Sequence, residues 1–141
     1  MADFARSAHP AVQAQLDRLA KLSPLGDRLG LERIRELLDR LGRPQDALPP
    51  VLHVAGTNGK GSTCAFLRAA IEAAGLAAHV YTSPHLVRFN ERIRLAGKLV
   101  DTGLLNRTLE DCERLNGGLP ITFFEITTAY FPGGRVSPVV S

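Results

Sequence analysis

The sequence is poor in the residues and runs that mark several classes of protein. Its 141 residues include no tryptophan, one methionine and two cysteines. The cysteines, Cys64 and Cys112, lack the close spacing of a metal-binding pair, so we expect reduced thiols. No apolar run approaches the roughly 18 residues that a membrane span needs. The amino terminus, MADFARSAHP, carries an acid and predicts no signal peptide. We therefore expect a cytoplasmic protein.

No strong excess of either charge is present. Seventeen basic and fourteen acidic residues give a formal net charge of +3, which suits an anionic small molecule as well as any polyanion. The length predicts one domain with a real core, and 45% hydrophobic residues are ordinary for a globular protein. We expect a monomer whose partners are small molecules, without a nucleic-acid or membrane partner.

Apolar spacing and turn residues divide the chain into helices and strands. Helices are predicted over residues 9–22, 31–41, 62–74 and 102–115, and a further helix opens at Thr122. Strands are predicted over 51–55 and 77–82, and a hairpin over 92–100. Residues 51–82 thus form a strand–loop–helix–strand unit, with Val51–Ala55 buried and parallel to Ala77–Thr82. The predicted fold is α/β, with a P-loop-type, mostly parallel sheet and flanking helices.

Three glycines lie close together where the first predicted strand leads into its helix. They surround Lys60 at positions 56, 59 and 61, within the segment VLHVAGTNGKGSTCAFLRAAIEAAG over residues 51–75. A tight turn there aims backbone N–H groups outward at the positive end of the helix dipole, and glycine leaves room for a phosphate. Lys60 adds a charge, and Ser62 or Thr63 adds a hydroxyl. The glycine spacing differs from the common phosphate-loop pattern G-x-x-x-x-G-K-[ST]. The alternative interpretation is a glycine-rich turn that connects the strand to the helix and binds no ligand.

Three motifs in order resemble one family. AGTNGKGST, YTSPHLVRFNERIRLAGK and TFFEITT are similar to the amino-terminal region of folylpolyglutamate synthase/dihydrofolate synthase, a folate-pathway member of the Mur ligase superfamily. The resemblance covers about residues 25 to 129. It implies that residues 1–141 hold a partial amino-terminal ATP-binding domain of the Mur ligase type, ending in a non-family tail over residues 130–141.

The resemblance also implies an activity. Such enzymes use ATP and Mg²⁺ to join L-glutamate to the carboxylate of dihydropteroate or tetrahydrofolate through an acyl phosphate. A carboxylate is a poor electrophile, and phosphorylation supplies a leaving group. No protein nucleophile is then required, and the protein contributes positioning and charge stabilisation.

Site residues follow from the same match. The resemblance assigns Ser83 to the magnesium ion. It assigns one loop to the ATP phosphates, with Lys60 as the catalytic residue: Thr57, Asn58, Gly59, Lys60, Gly61 and Ser62. Without it, Ser83 reads as a turn former before Pro84.

A second set of residues matches the segment that, in this family, lines the pocket for the pterin substrate. The match comprises Thr122, Phe123, Phe124 and Glu125, and either phenylalanine could pack against the flat pterin. The alternative is a Thr122–Glu125 capping box with both phenylalanines in the core. The segment Leu29–Arg33 resembles a substrate-contacting loop.

Four further residues each have two interpretations. His85 could approach the metal or phosphate, or it is structural or solvated. Arg88, Arg92 and Arg94 could form a basic rim for a glutamate tail, or they belong to a solvated face.

The resemblance stops after Ala129, where the chain continues into PGGRVSPVVS. Proline and two glycines there predict the end of the helix. The family's acidic and histidine metal ligands and its carboxy-terminal domain have no counterpart, so we expect a truncated product without turnover. The alternatives are a non-catalytic nucleotide-binding fragment and an unrelated P-loop kinase or GTPase, the latter disfavoured by the glycine spacing and by TSPHL and TFFE.

Overall fold

The computed structural model describes residues 6–23 and 30–133, which form five α-helices and a three-stranded sheet. The helices are α1 (Pro10–Ala20), α2 (Glu32–Arg40), α3 (Lys60–Ala73), α4 (Thr102–Asn116) and α5 (Phe123–Gly133). The strands are β1 (Val80–Tyr81), β2 (Ile93–Leu95) and β3 (Lys98–Leu99), with short 3₁₀ turns at Pro44–Ala47 and Phe89–Arg92. Within these ranges no helix is both long and apolar enough to cross a membrane.

The core lies between α1, α2, α4 and α5. On α1, Val12, Leu16 and Leu19 recur at helical spacing and are all buried, as the apolar pattern predicts. They join buried residues of the other helices, among them Leu37 of α2 and Leu109 of α4. Helices α1, α2, α4 and α5 therefore have an apolar centre of their own, whereas α3 contains no buried residue.

The sheet is a small antiparallel meander that packs beside this core. Strand β2 pairs with β1, Tyr81 opposite Ile93, and with β3, Leu95 opposite Lys98. Ala96 and Gly97 between β2 and β3 both have positive φ, 47° and 79°, as in the tight turns whose twist matches that of a hairpin. The predicted hairpin is thus confirmed.

The predicted strand over Val51–Ala55 is wrong, and the parallel sheet with it. That segment has no strand in the structure, and Val51 and Leu52 are 70% and 62% exposed. The second predicted strand is reduced to Val80–Tyr81, whose partner is the antiparallel β2. An apolar run becomes a buried strand only where neighbouring strands bind its backbone on both sides, and no strand in the described residues lies beside this one. The fold is mixed α/β with an antiparallel sheet.

Candidate functional site

The glycine loop ends in a left-handed residue at the start of α3. Gly59 is the N-cap, with φ 72° and ψ 2°, a conformation that glycine adopts without strain. No side chain caps this helix end, so the N–H groups of its first turn are free of an internal capping acceptor. The loop and the first turn are exposed. This geometry suits an oxyanion bound at the positive end of the helix dipole.

Lys60 and Thr63 both turn back onto the loop. The Lys60 ammonium donates a hydrogen bond to the carbonyl oxygen of Gly56 over 2.6 Å, and the Thr63 hydroxyl donates to the carbonyl of Gly59 over 3.0 Å. The lysine charge is therefore held directly above the glycine turn. Because Thr63 is used internally, Ser62 is the exposed hydroxyl next to the loop. Thr57 and Asn58 are exposed loop residues between the glycines.

Ser83 follows β1 at its carboxyl end. Thr82 still donates its N–H to the carbonyl oxygen of Arg92 over 2.8 Å, and the exposed Ser83 comes next. Within the described ranges, no group of three His, Cys, Asp or Glu side chains that could hold a metal ion is present. Magnesium commonly takes one or two protein ligands and completes its shell with phosphate and water. One hydroxyl is compatible with that chemistry, and the magnesium role of Ser83 stays a prediction.

Glu91, which the sequence analysis missed, holds the loop that follows Ser83. Its carboxylate accepts hydrogen bonds from the backbone N–H groups of Leu86 over 2.9 Å, Arg88 over 2.8 Å and Val87 over 3.2 Å. The bonds from Leu86 and Arg88 lower the pKa of Glu91 below its usual value. One charged carboxylate thus organises a turn in which Leu86 is 94% exposed. The available signal was an acid three residues after Arg88, the spacing of a capping box.

His85 and Arg92 form a contact of their own. Arg92 is 0% exposed, and its Nε donates to Nδ1 of His85 over 2.9 Å. The guanidinium carbon also lies 5.2 Å from the centre of the Phe89 ring, within range of a cation–π attraction. Arg92 is therefore an interior residue rather than part of an exposed rim, and His85 has a structural partner. Arg88 remains exposed.

Thr122 and Glu125 form the capping box at the start of α5. The N–H and hydroxyl of Thr122 each donate to Oε2 of Glu125 over 2.8 Å, and the N–H of Glu125 donates to the Thr122 hydroxyl over 3.1 Å. Such reciprocal bonds satisfy N–H groups that the helix leaves unpaired. The two phenylalanines differ, because Phe123 packs edge-on against Phe89 at 6.0 Å whereas Phe124 is 54% exposed. Of these two rings, that of Phe124 is the exposed one.

An ion pair joins this capping box to the start of α2. Arg33 Nε lies 3.0 Å from Oε2 of Glu125. Burial acts to raise the pKa of Glu125, but hydrogen bonds from Arg33 and Thr122 outweigh it and the pKa is lowered. The pair links the two segments that the sequence assigns to substrate, although Leu29 lies outside the described residues. Among the described residues, no hydrogen bond or ion pair connects the glycine loop with Ser83 or with residues 122–125.

Comparisons with known proteins give one consistent result. No family model matches the chain. The chain is 43% identical over 100 residues to the dihydrofolate synthase/folylpolyglutamate synthase of Escherichia coli K12, a match that covers 71% of this chain and 24% of that enzyme. The chain thus spans about a quarter of the length of that curated relative.

Solved structures agree with this match. Escherichia coli FolC in complex with DHPP and ADP aligns with a TM-score of 0.80 and 36% identity, over 93% of this chain and 31% of that one. The bifunctional folylpolyglutamate synthase/dihydrofolate synthase of Yersinia pestis, complexed with AMPPNP and a Mn ion, aligns with a TM-score of 0.79 and 36% identity, over 92% and 31%. Both alignments cover nearly all of this chain and about a third of the solved one.

Proposed function

The chain is a homologue of one part of folylpolyglutamate synthase/dihydrofolate synthase, and we propose that it carries the ATP-phosphate and pterin sites of that ligase. The family reaction adds L-glutamate to dihydropteroate or tetrahydrofolate through an acyl phosphate. One observation carries the proposal: the left-handed Gly59 cap with the Lys60 ammonium above it. The relatives crystallised with ADP or AMPPNP support the nucleotide, and the Mn ion supports a divalent metal.

Each proposed residue has a distinct task. The loop from Thr57 to Ser62 surrounds the ATP phosphates with backbone N–H groups, and Lys60 exchanges its bond to Gly56 for a phosphate oxygen. Ser83 provides one oxygen to Mg²⁺, which when bound offsets phosphate charge. The exposed ring of Phe124 packs against the pterin. No step needs a protein nucleophile.

For a polypeptide of these 141 residues alone the proposal is narrower. Such a polypeptide binds nucleotide but does not catalyse the ligation, because it matches about a quarter of a relative's length and the chemistry depends on precise positioning. Its proposed state is a monomer in the cytoplasm. A P-loop kinase or GTPase is not proposed, since the relatives that the chain matches are synthases.

Turnover can be assayed directly. Purified chain is incubated with ATP, Mg²⁺, dihydropteroate and L-glutamate, and glutamate-dependent ADP release is followed, with the Escherichia coli relative as positive control. We expect no release above background for the chain or for Lys60→Ala. Release that requires glutamate and disappears in Lys60→Ala would show that the chain is a ligase by itself.

A further inference from the structure

The Arg33–Glu125 ion pair differs from the other helix-to-helix pair that the structure describes. Its side chains are 25% and 12% exposed, against 52% and 27% for Arg18–Glu113, which links α1 to α4 with the same 3.0 Å separation. A shielded pair with a direct hydrogen bond is screened less by water and salt. Arg33–Glu125 can therefore fix the geometry of the elements it joins, which are the first turns of α2 and α5.

The bonding at Glu125 concentrates that effect on a single atom. Oε2 accepts from Nε of Arg33 and from the N–H and the hydroxyl of Thr122. The same oxygen therefore accepts the capping bonds at the amino-terminal end of α5 and the hydrogen bond from Arg33 of α2. Loss of the guanidinium would leave the capping bonds without the group that holds their acceptor in place.

Each of the two segments that this pair joins carries an exposed apolar side chain. Phe124, next to Glu125 in sequence, is 54% exposed, and Leu31, two residues before Arg33, is 57% exposed. We propose that Arg33 is a positioning residue that fixes the start of α5 against α2, and so holds the exposed ring of Phe124 where it can contact a flat heteroaromatic ring. This inference rests on the proposed function, because it takes residues 122–125 as the pterin segment.

The first test needs no ligand. Hydrogen exchange of the Thr122 N–H is measured by NMR in the full chain, in Arg33→Met, in Arg33→Lys and in Arg18→Met. We expect Arg33→Met to speed exchange about tenfold, the usual effect of losing a hydrogen bond to a charged group. Lysine should restore part of the protection, since it keeps the charge.

Arg18→Met is the matched control, because it removes an ion pair of equal length that joins α1 to α4. It should leave Thr122 exchange unchanged. Unchanged exchange in Arg33→Met, or equal acceleration in Arg18→Met, would overturn the positioning role. The second result would mean that Thr122 reports only overall stability.

The second test uses pteroic acid as the probe, titrated into the same four proteins. We expect Arg33→Met to weaken binding about tenfold, with partial rescue by Arg33→Lys and no change in Arg18→Met. Equal binding by the unmodified chain and Arg33→Met would overturn the inference and leave the proposed function standing. Absence of binding by the unmodified chain, with Thr122 exchange responding as expected, would instead overturn the pterin assignment.

Discussion

Lys60 Nζ lies 2.6 Å from the carbonyl oxygen of Gly56, four residues earlier in the chain. The side chain therefore curls over the turn from which it starts, instead of extending into solvent. An arriving phosphate has only to displace one carbonyl from the ammonium. The charge is thus positioned before the ligand arrives, which lowers the entropy lost on binding.

Gly59 should tolerate alanine poorly. Its φ of 72° lies in the left-handed region, which costs an L-residue roughly 1–2 kcal/mol. We expect Gly59→Ala to shift the start of α3, and so to reduce the helical ¹³Cα chemical shifts of residues 60–64. Gly61→Ala is the matched control, because Gly61 is helical and has no neighbour within 4 Å of an added Cβ.

The control should behave in the opposite way. Alanine in a helix is favoured over glycine by about 1 kcal/mol, so Gly61→Ala should keep or strengthen the same shifts. If both variants preserve the shifts equally, the left-handed cap at Gly59 is not what begins the helix.

These glycines show what the sequence could predict. A tight glycine turn around a lysine and the helix that follows it are local features, and the spacing of Gly56, Gly59 and Gly61 around Lys60 predicted both, although α3 begins at Lys60 rather than at Ser62. The Thr122–Glu125 capping box is equally local. The strand over Val51–Ala55 is different, because its pairing depends on distant segments that no local pattern reports.

The exposure of residues 51–55 can be tested by comparing a substitution there with one in the buried core. Leu109 is 0% exposed, and Leu109→Ala should lower the free energy of unfolding by about 2–5 kcal/mol. Val51 is 70% exposed, so Val51→Ser should change it by less than about 0.5 kcal/mol. Urea unfolding measures both. A loss at Val51 comparable to that at Leu109 would mean that the segment is buried.

Glu125 should give stability a specific acid dependence. Its pKa in the folded protein lies below the ordinary 4.5, so its stabilising effect is complete above that value and is lost as the pH falls through the folded pKa. The difference in unfolding free energy between the unmodified chain and Glu125→Gln should therefore be largest near neutrality and shrink below pH 4.5.

Arg33→Met provides the check on this pH dependence. Without Arg33 its hydrogen bond and charge no longer lower the pKa of Glu125, while the bonds from Thr122 still lower it and burial still raises it. The acid-induced loss of stability attributable to Glu125 should then be smaller than in the unmodified chain. A pH dependence identical in the unmodified chain and Arg33→Met would show that the ion pair does not control the titration.

The contacts of Arg33 and Arg92 were beyond sequence analysis for the same reason as the strand. Arg33 meets Glu125 across 92 residues of chain, and Arg92 is buried against His85 and Phe89. A basic residue in an otherwise polar stretch predicts a solvated side chain, and only the fold brings each of these arginines to its partner.

Titration calorimetry of the chain with ADP and Mg²⁺ tests the central claim, a phosphate site built by Gly59 and Lys60, most directly. Lys60→Ala should weaken binding by about ten- to a hundredfold, since a hydrogen bond to a charged group contributes about 1.5–3 kcal/mol. Lys98→Ala, which removes an exposed lysine from β3, should leave the affinity unchanged. Equal affinities for all three proteins, or no binding by the unmodified chain, would contradict the claim.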